Sequence, residues 1–209
     1  MRVRVKICGI TSVQDALVAA EAGCDAIGLV FYPRSPRSVS IEMARNIANV
    51  IPPFIARVGV FVDAEERVVR DVLEQVELTL LQFHGDELPD SCNHFGLPYM
   101  KTISVDASVE LENIEQKYDS AAGFLFDTYD PVIKGGTGRS FDWALWPKSS
   151  NKPLILAGGL TPENVGEAVK KTKPWGVDVR GGVEDEIYGK KNPRKIRAFI
   201  NEVSGVGLE

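Results

Sequence analysis

Histidine is almost missing from this chain. Only His84 and His94 occur in 209 residues, and the sequence holds neither a His-x-x-x-His nor a Cys-x-x-Cys spacing. That removes the usual frameworks for a bound metal and the chemistry that depends on one. Cysteine is scarce too. Cys8, Cys24 and Cys92 are an odd number at irregular spacing, which excludes a disulfide framework and makes a reducing, cytoplasmic setting the default. No apolar run approaches the roughly 18 residues needed to cross a bilayer. The start, Met-Arg-Val-Arg-Val-Lys, leads straight into a strand-like segment rather than the charged, apolar, small-residue order of a secretory signal. No long block of Lys and Arg occurs, and the net charge is −5. Neither nucleic acid nor membrane is therefore an expected partner. A small-molecule ligand is, with the chain acting as a monomer or homodimer.

What the chain has is short apolar runs at regular intervals, punctuated by 19 glycines and 12 prolines. The runs Val3–Cys8, Ala26–Phe31, Ala56–Val62, Thr79–Phe83, Tyr99–Ile103, Gly123–Phe126, Pro153–Ala157 and Gly176–Val179 are continuous rather than alternating, the pattern of strands buried on both faces. Segments of 3.6-residue periodicity lie between them. Thr11-Ser12-Val13-Gln14 has a capping-box pattern; Thr161-Pro162 and Asn192-Pro193 place a cap before a proline at the first helical position. The helices around 109–117 and Phe141–Trp146 are the weakest, the latter very short. Eight strands alternating with eight helices imply parallel βαβ units, and their closed solution is an α/β, single-domain (β/α)8 TIM barrel over residues 1–209. An open doubly wound sheet is the alternative, but it usually carries G-x-G-x-x-G after its first strand, where Gly9 stands alone. The likeness of "ICGITSVQDAL" to "LAGGLTPENVGEAV" adds a hint of repeated βα turns on one rim.

A barrel of this kind assembles its site at the C-terminal ends of its strands. That rule selects Cys8, Tyr32 to Arg37, Asp63, His84-Gly85, Asp127, Gly158-Gly159 and Asp178 to Gly182. Cys8 ends a strand beside a helix N-terminus, a setting that favours a thiolate able to act as nucleophile or general base, whereas Cys24 and Cys92 read as structural. His84 lies on another strand end, so a Cys–His pair is open. Asp127 closes the apolar run "GFLFDT", where burial would keep a carboxyl protonated for acid chemistry, although a loop cap is the plainer role. Arg34 and Arg37, in a proline-stiffened loop, offer guanidinium groups for a carboxylate; a solvated basic loop is equally compatible. The pairs Gly158-Gly159 and Gly181-Gly182 fall in the two loops where barrels often hold phosphate, and tight turns would also use them. Gly135-Gly136-Thr137-Gly138 suits either a lid or an ordinary turn.

Taken together, "VKICGIT", "FYPRSPRSV", "VGVFVD", "LQFHGDE", "FDTYD…GGTGRSFDW", "LAGGLTPENV" and "GVDVRGGVE" resemble the phosphoribosylanthranilate isomerase family of tryptophan biosynthesis, in family order from residue 5 to about 185. The resemblance implies a (β/α)8 barrel and an Amadori rearrangement of N-(5-phosphoribosyl)anthranilate to 1-(2-carboxyphenylamino)-1-deoxyribulose 5-phosphate, without metal or organic cofactor. It makes Cys8 the general base and Asp127 the general acid. It sets Arg37 against the anthranilate carboxylate, and the glycines at 158, 159, 181 and 182 around the phosphate. His84, Asp178 and Arg180 are taken as further substrate-binding residues. One departure stands out: the family usually reads "VDVSSGVE", and Arg180-Gly181 replaces the serine pair. Arg180 is expected to contact the phosphate, or to bridge to Glu184 when the site is empty. Rival readings are the histidine-pathway ProFAR isomerase, expected to carry Asp where Cys8 stands, a metal-dependent pentose-phosphate epimerase, and a non-catalytic barrel that binds a phosphorylated ligand.

Overall fold

The apolar runs become parallel strands because their side chains meet apolar neighbours on both faces. In the computed structural model, which describes residues 2–105, 110–128, 142–187 and 189–206, they are β1 (Arg4–Cys8), β2 (Ala26–Val30), β3 (Ala56–Phe61), β4 (Leu80–Phe83), β5 (Tyr99–Val105), β6 (Gly123–Thr128), β7 (Leu154–Leu156) and β8 (Gly176–Val179). They hydrogen-bond in chain order into a closed barrel. The seam pairs β1 with β8, from Arg4 opposite Gly176 to Ile7 opposite Val179. That pairing excludes the open doubly wound sheet.

The helices depart further from expectation than the strands. The described residues form α1 (Val13–Glu21), α2 (Ile41–Val50), α3 (Glu66–Leu73), α4 (Pro89–Cys92), α5 (Leu111–Lys117), α6 (Val165–Thr172) and α7 (Pro193–Gly205). The short sixth helix is a single 3-10 turn, Trp143–Leu145, so seven α-helices replace the expected eight. Ser12, not Thr11, caps α1 by accepting the Asp15 N–H at 3.1 Å, while Thr11 Oγ1 donates to the Gly189 carbonyl at 3.0 Å. Thr161 does not cap α6 either; a turn intervenes, its Oγ1 accepts the Glu163 N–H at 3.2 Å, and α6 begins after Asn164. Asn192 does cap α7, with Pro193 in the first turn, accepting from Arg194 and Lys195 at 2.9 and 3.1 Å.

Two apolar layers hold the barrel. Outside the strands, beneath the helices, Phe31, Phe61, Phe83 and Tyr99 form a run of ring contacts with centroids 5.3, 6.3 and 5.7 Å apart. Inside, Val30, Val58, Val60, Met100, Leu125, Ile155 and Ala157 fill the barrel together with Cys8. Strand side chains alternate with period two. Val5 and Ile7 belong to the outer layer, so Lys6 and Cys8 face inward. The same parity turns Gln82 and His84, Leu125 and Asp127, and Asp178 and Arg180 toward the barrel axis, because Leu81, Phe83, Phe124, Phe126, Val177 and Val179 pack outward. No helix among the described residues is long and apolar enough to cross a membrane.

Candidate active site

Cys8 is the last residue of β1 and only 4% exposed. The chain then turns sharply. Gly9 takes a φ of +72°, in the left-handed region, and the N–H groups of Gly9 and Ile10 both donate to the Gly28 carbonyl, at 2.9 and 3.0 Å. A Cβ on Gly9 would lie 2.9 Å from Cδ of Arg37, so its absence also lets the Arg37 side chain cross the end of β1. The thiol is thus placed on the inner rim by strand parity and left there by a turn that only glycine accommodates. Beside it is a residue the motif reading passed over: Lys6, buried on the same inner face, with Nζ 2.8 Å from Asp178 Oδ1. Cys24 and Cys92 are different: burial pushes both thiols up to about 12, which is the inert, structural behaviour expected of them.

Asp127, near the end of β6, is also buried. Burial raises its carboxyl pKa above the usual range; Arg180 and the Thr128 N–H oppose that shift without cancelling it. One oxygen accepts the Thr128 N–H at 2.8 Å, so the loop-capping role exists alongside the acid one. The other lies 3.5 Å from His84 Nε2. The ring of His84 is held at Nδ1 by Gln82 Nε2 (3.0 Å) and Thr102 Oγ1 (3.2 Å). The Cys–His pair left open by the sequence is not formed among the described residues: His84 turns to Asp127, and Lys6 lies beside Cys8.

The two arginines of the β2 loop part company. Arg34 is exposed; Arg37 is buried and reaches across to the β8 side. Its Nε and Nη2 donate to both oxygens of Glu184, each at 2.7 Å, a bidentate pair. Lys191 Nζ adds a 2.9 Å contact to Glu184 Oε1 and donates to the Arg180 carbonyl at 2.9 Å. Burial works to raise the Glu184 carboxyl, but Arg37 and Lys191 together hold it below the usual range. Glu184 is therefore occupied by Arg37 and Lys191, and the expected Arg180–Glu184 bridge is not formed among the described residues. Arg180 acts instead on Asp127, where its charge opposes the rise of the carboxyl pKa.

The glycine pairs do come together. A Cβ on Gly182 would lie 2.0 Å from the Leu160 carbonyl oxygen, and one on Gly158 would lie 3.1 Å from Asp127 Oδ1. The loops after β7 and β8 thus abut each other and the end of β6, with Gly159 following Gly158 in the first and Gly181 opening a 3-10 turn in the second. Asp63, by contrast, belongs to a staple between loops: its N–H donates to Glu87 at 2.9 Å and its Oδ1 accepts the Asp86 N–H at 2.6 Å. The 135–138 glycine segment lies outside the described residues. No group of three or more His, Cys, Asp or Glu side chains suited to a metal occurs among the described residues.

Strand parity brings Cys8, His84, Asp127, Asp178 and Arg180 to one rim, where Arg37 and the glycines of the β7 and β8 loops meet them. Motif reading passed over Lys6, Gln82, Thr102 and Lys191. A usable signal existed for Lys6 and Gln82, since each stands two residues before a strand-end candidate and shares its face. None existed for Lys191, which reaches the site only through a loop following β8.

Comparison with known proteins places the chain in a family and agrees on the barrel. The family model of N-(5'phosphoribosyl)anthranilate (PRA) isomerase matches residues 5–202. The N-(5'-phosphoribosyl)anthranilate isomerase of Pseudomonas savastanoi pv. phaseolicola is 51% identical over 203 residues, which cover 97% of this chain and 98% of that protein. The crystal structure of phosphoribosyl anthranilate isomerase from Thermotoga maritima superposes with a TM-score of 0.88 at 40% identity, covering 97% of this chain and 99% of its own. A second crystal structure of a phosphoribosyl anthranilate isomerase, in complex with reduced 1-(o-carboxyphenylamino)-1-deoxyribulose 5-phosphate, gives 0.82 at 37% identity with the same coverage. With the family model, the relatives and the barrel in agreement, this chain belongs to the N-(5'-phosphoribosyl)anthranilate isomerase family.

Proposed function

We propose that the chain converts N-(5'-phosphoribosyl)anthranilate to 1-(2-carboxyphenylamino)-1-deoxyribulose 5-phosphate, with Asp127 as general acid and Cys8 as general base. The observation that carries this reading is two groups on one rim: a carboxyl whose burial raises its pKa above the usual range, and a thiol set beside a buried cation.

The two groups serve different atoms of the substrate. Asp127 gives its proton to the ribose ring oxygen as the bond from that oxygen to C1' breaks, and the anilino nitrogen lone pair forms a C1'=N iminium. The iminium acidifies the proton on C2'. Cys8 thiolate takes that proton; the C–H electron pair becomes a C1'=C2' bond and the iminium electrons return to nitrogen. The enolamine then ketonises, gaining a proton at C1' and losing one from the C2' hydroxyl, and reprotonation of Asp127 with deprotonation of Cys8 restores the enzyme with no net proton change. Acid and base on β6 and β1, separated around the barrel by the two strands β7 and β8, approach a bound ribose from different sides. The phosphate is held remotely by the backbone of Gly158, Gly159, Gly181 and Gly182, which orients the flexible sugar. Arg37, held by Glu184, presents a pre-ordered guanidinium to the anthranilate carboxylate. His84 steadies Asp127, and Asp178 steadies Lys6.

Purified protein given N-(5'-phosphoribosyl)anthranilate should consume its anthranilate fluorescence at a rate that EDTA leaves unchanged. No consumption above the spontaneous rate, with the ligand still bound, would point instead to a non-catalytic barrel. Conversion of the ProFAR substrate in its place would favour the histidine-pathway reading.

Arg180 is assigned to the acid rather than to Glu184. It opposes the upward shift of the Asp127 carboxyl, so removing its charge lets that carboxyl rise further. In Arg180→Ser, which restores the family residue, the limb of the kcat/KM profile on which Asp127 loses its proton should move to higher pH. A limb that stays in place would show that the guanidinium does not act on Asp127 during turnover, and a weakened salt dependence of inorganic phosphate binding would return it to the phosphate.

A further inference from the structure

We propose that Lys6 is a positioning residue for the reaction, its buried ammonium stabilising the thiolate form of Cys8. The inference rests on the reading of Cys8 as the base. Burial alone disfavours a thiolate, so a thiol in the barrel mouth needs a counter-charge to act as a base near neutral pH.

The geometry supplies one. Lys6 and Cys8 are two residues apart on β1 and share its inner face. Both lean into the gap left by Gly28 on β2: a Cβ there would lie 2.7 Å from Cys8 Sγ and 3.2 Å from Lys6 Nζ. No side chain on Gly28 separates the two. Lys6 is 5% exposed, so water screens it little. Its ammonium has three donors, and Asp178 Oδ1 takes one at 2.8 Å. Burial acts against its charge, but Asp178 and then Cys8 outweigh that, and the group's pKa is raised.

The other charges facing this corner are otherwise engaged. From β8, Asp178 holds Lys6 and Arg180 acts on Asp127 of β6. Lys191, from the loop after β8, also acts on Cys8, but its ammonium donates to Glu184 and to the Arg180 carbonyl. Arg37, from the β2 loop, is bound to Glu184. Lys6 is the cation that shares the Gly28 gap with the thiol. A purely structural role, sealing β1 to β8 through Asp178, would not make the ionisation of Cys8 depend on Lys6.

The test is a pH titration of Cys8 by NMR in protein labelled with [3-13C]cysteine. It reads ionisation without requiring a reagent to reach the thiol. In Lys6→Met the Cys8 midpoint should move upward by about one pH unit or more, and in Lys6→Arg by much less, as expected when a cation beside a thiol is removed or kept. At neutral pH Lys6→Met should lose roughly 10-fold or more in kcat with KM little changed, and the deficit should shrink as the pH rises. Because methionine leaves Asp178 as an unpaired buried carboxylate, a second measurement uses unaltered side chains. In [15N]lysine-labelled protein the Lys6 Nζ resonance should shift with the Cys8 midpoint, and that step should vanish in Cys8→Ser. An unmoved Cys8 midpoint in folded Lys6→Met, or a Lys6 resonance indifferent to Cys8, overturns the role of Lys6 while leaving the base assignment intact. Retained turnover in Cys8→Ala overturns the base assignment itself, and with it any catalytic consequence of Lys6.

Discussion

Cys8→Ala is expected to abolish measurable turnover while leaving the barrel folded. The substitution removes one sulfur atom from a position already lined by aliphatic side chains. Its cost in stability is therefore on the order of 1 kcal/mol, the ordinary scale for a single substitution. Its cost in rate is larger, because nothing else among the described residues near Cys8 is a base of suitable charge: Lys6 and Lys191 are cations and Asp178 is bound to Lys6. Loss of anthranilate fluorescence measures the cost in rate and thermal unfolding the cost in stability. Cys24→Ala and Cys92→Ala serve as controls and should turn over normally, since burial leaves those thiols un-ionised. Near-native activity in Cys8→Ala would end the assignment.

Asp127→Asn should reduce kcat by roughly 10²-fold or more, the scale of a lost acid–base group, with substrate binding much less affected. Asparagine keeps the shape and the contact with the Thr128 N–H but has no proton to give. The accompanying effect on stability has a defined sign. The folded-state pKa of Asp127 is raised, so the folded protein binds more protons here than the unfolded chain between the two values, and stability drawn from the neutral carboxyl is lost as pH rises through the folded value. The asparagine variant has no such charge to bury. Its unfolding midpoint should match that of the unaltered protein at low pH and exceed it as the pH rises. Loss of binding with kcat intact would make Asp127 a positioning residue only.

The strands were legible because their signal is local and repeated. Continuous apolar runs bounded by glycine or proline allow little besides strands buried on both faces, and β2, β4 and β8 lie within a residue of their expected bounds. The rim was legible for the same reason, since the residue closing an inward register faces the axis. What escaped was information that strand spacing does not carry. Thr11 and Thr161 have the chemistry of caps, but tertiary contacts and an extra turn claim them. Arg34 and Arg37 are two residues of one type in one loop, and only the fold shows that one is solvated and the other buried against Glu184. Arg180, at the eighth strand end, is expected to meet the phosphate or, in an empty site, Glu184; Arg37, 147 residues away from Glu184, holds that carboxylate.

The Lys6–Asp178 pair joins residues 172 positions apart across the barrel seam. Neither charge is matched until β1 and β8 pair across that seam. Until then the inward face of β1 carries an ammonium with no carboxylate to meet it, and sealing that face into an apolar interior is opposed by the cost of an unpaired charge. Premature closure of a shorter ring of strands is penalised by the same term. The pair thus favours the ring that contains both β1 and β8 over any ring that leaves one of them out.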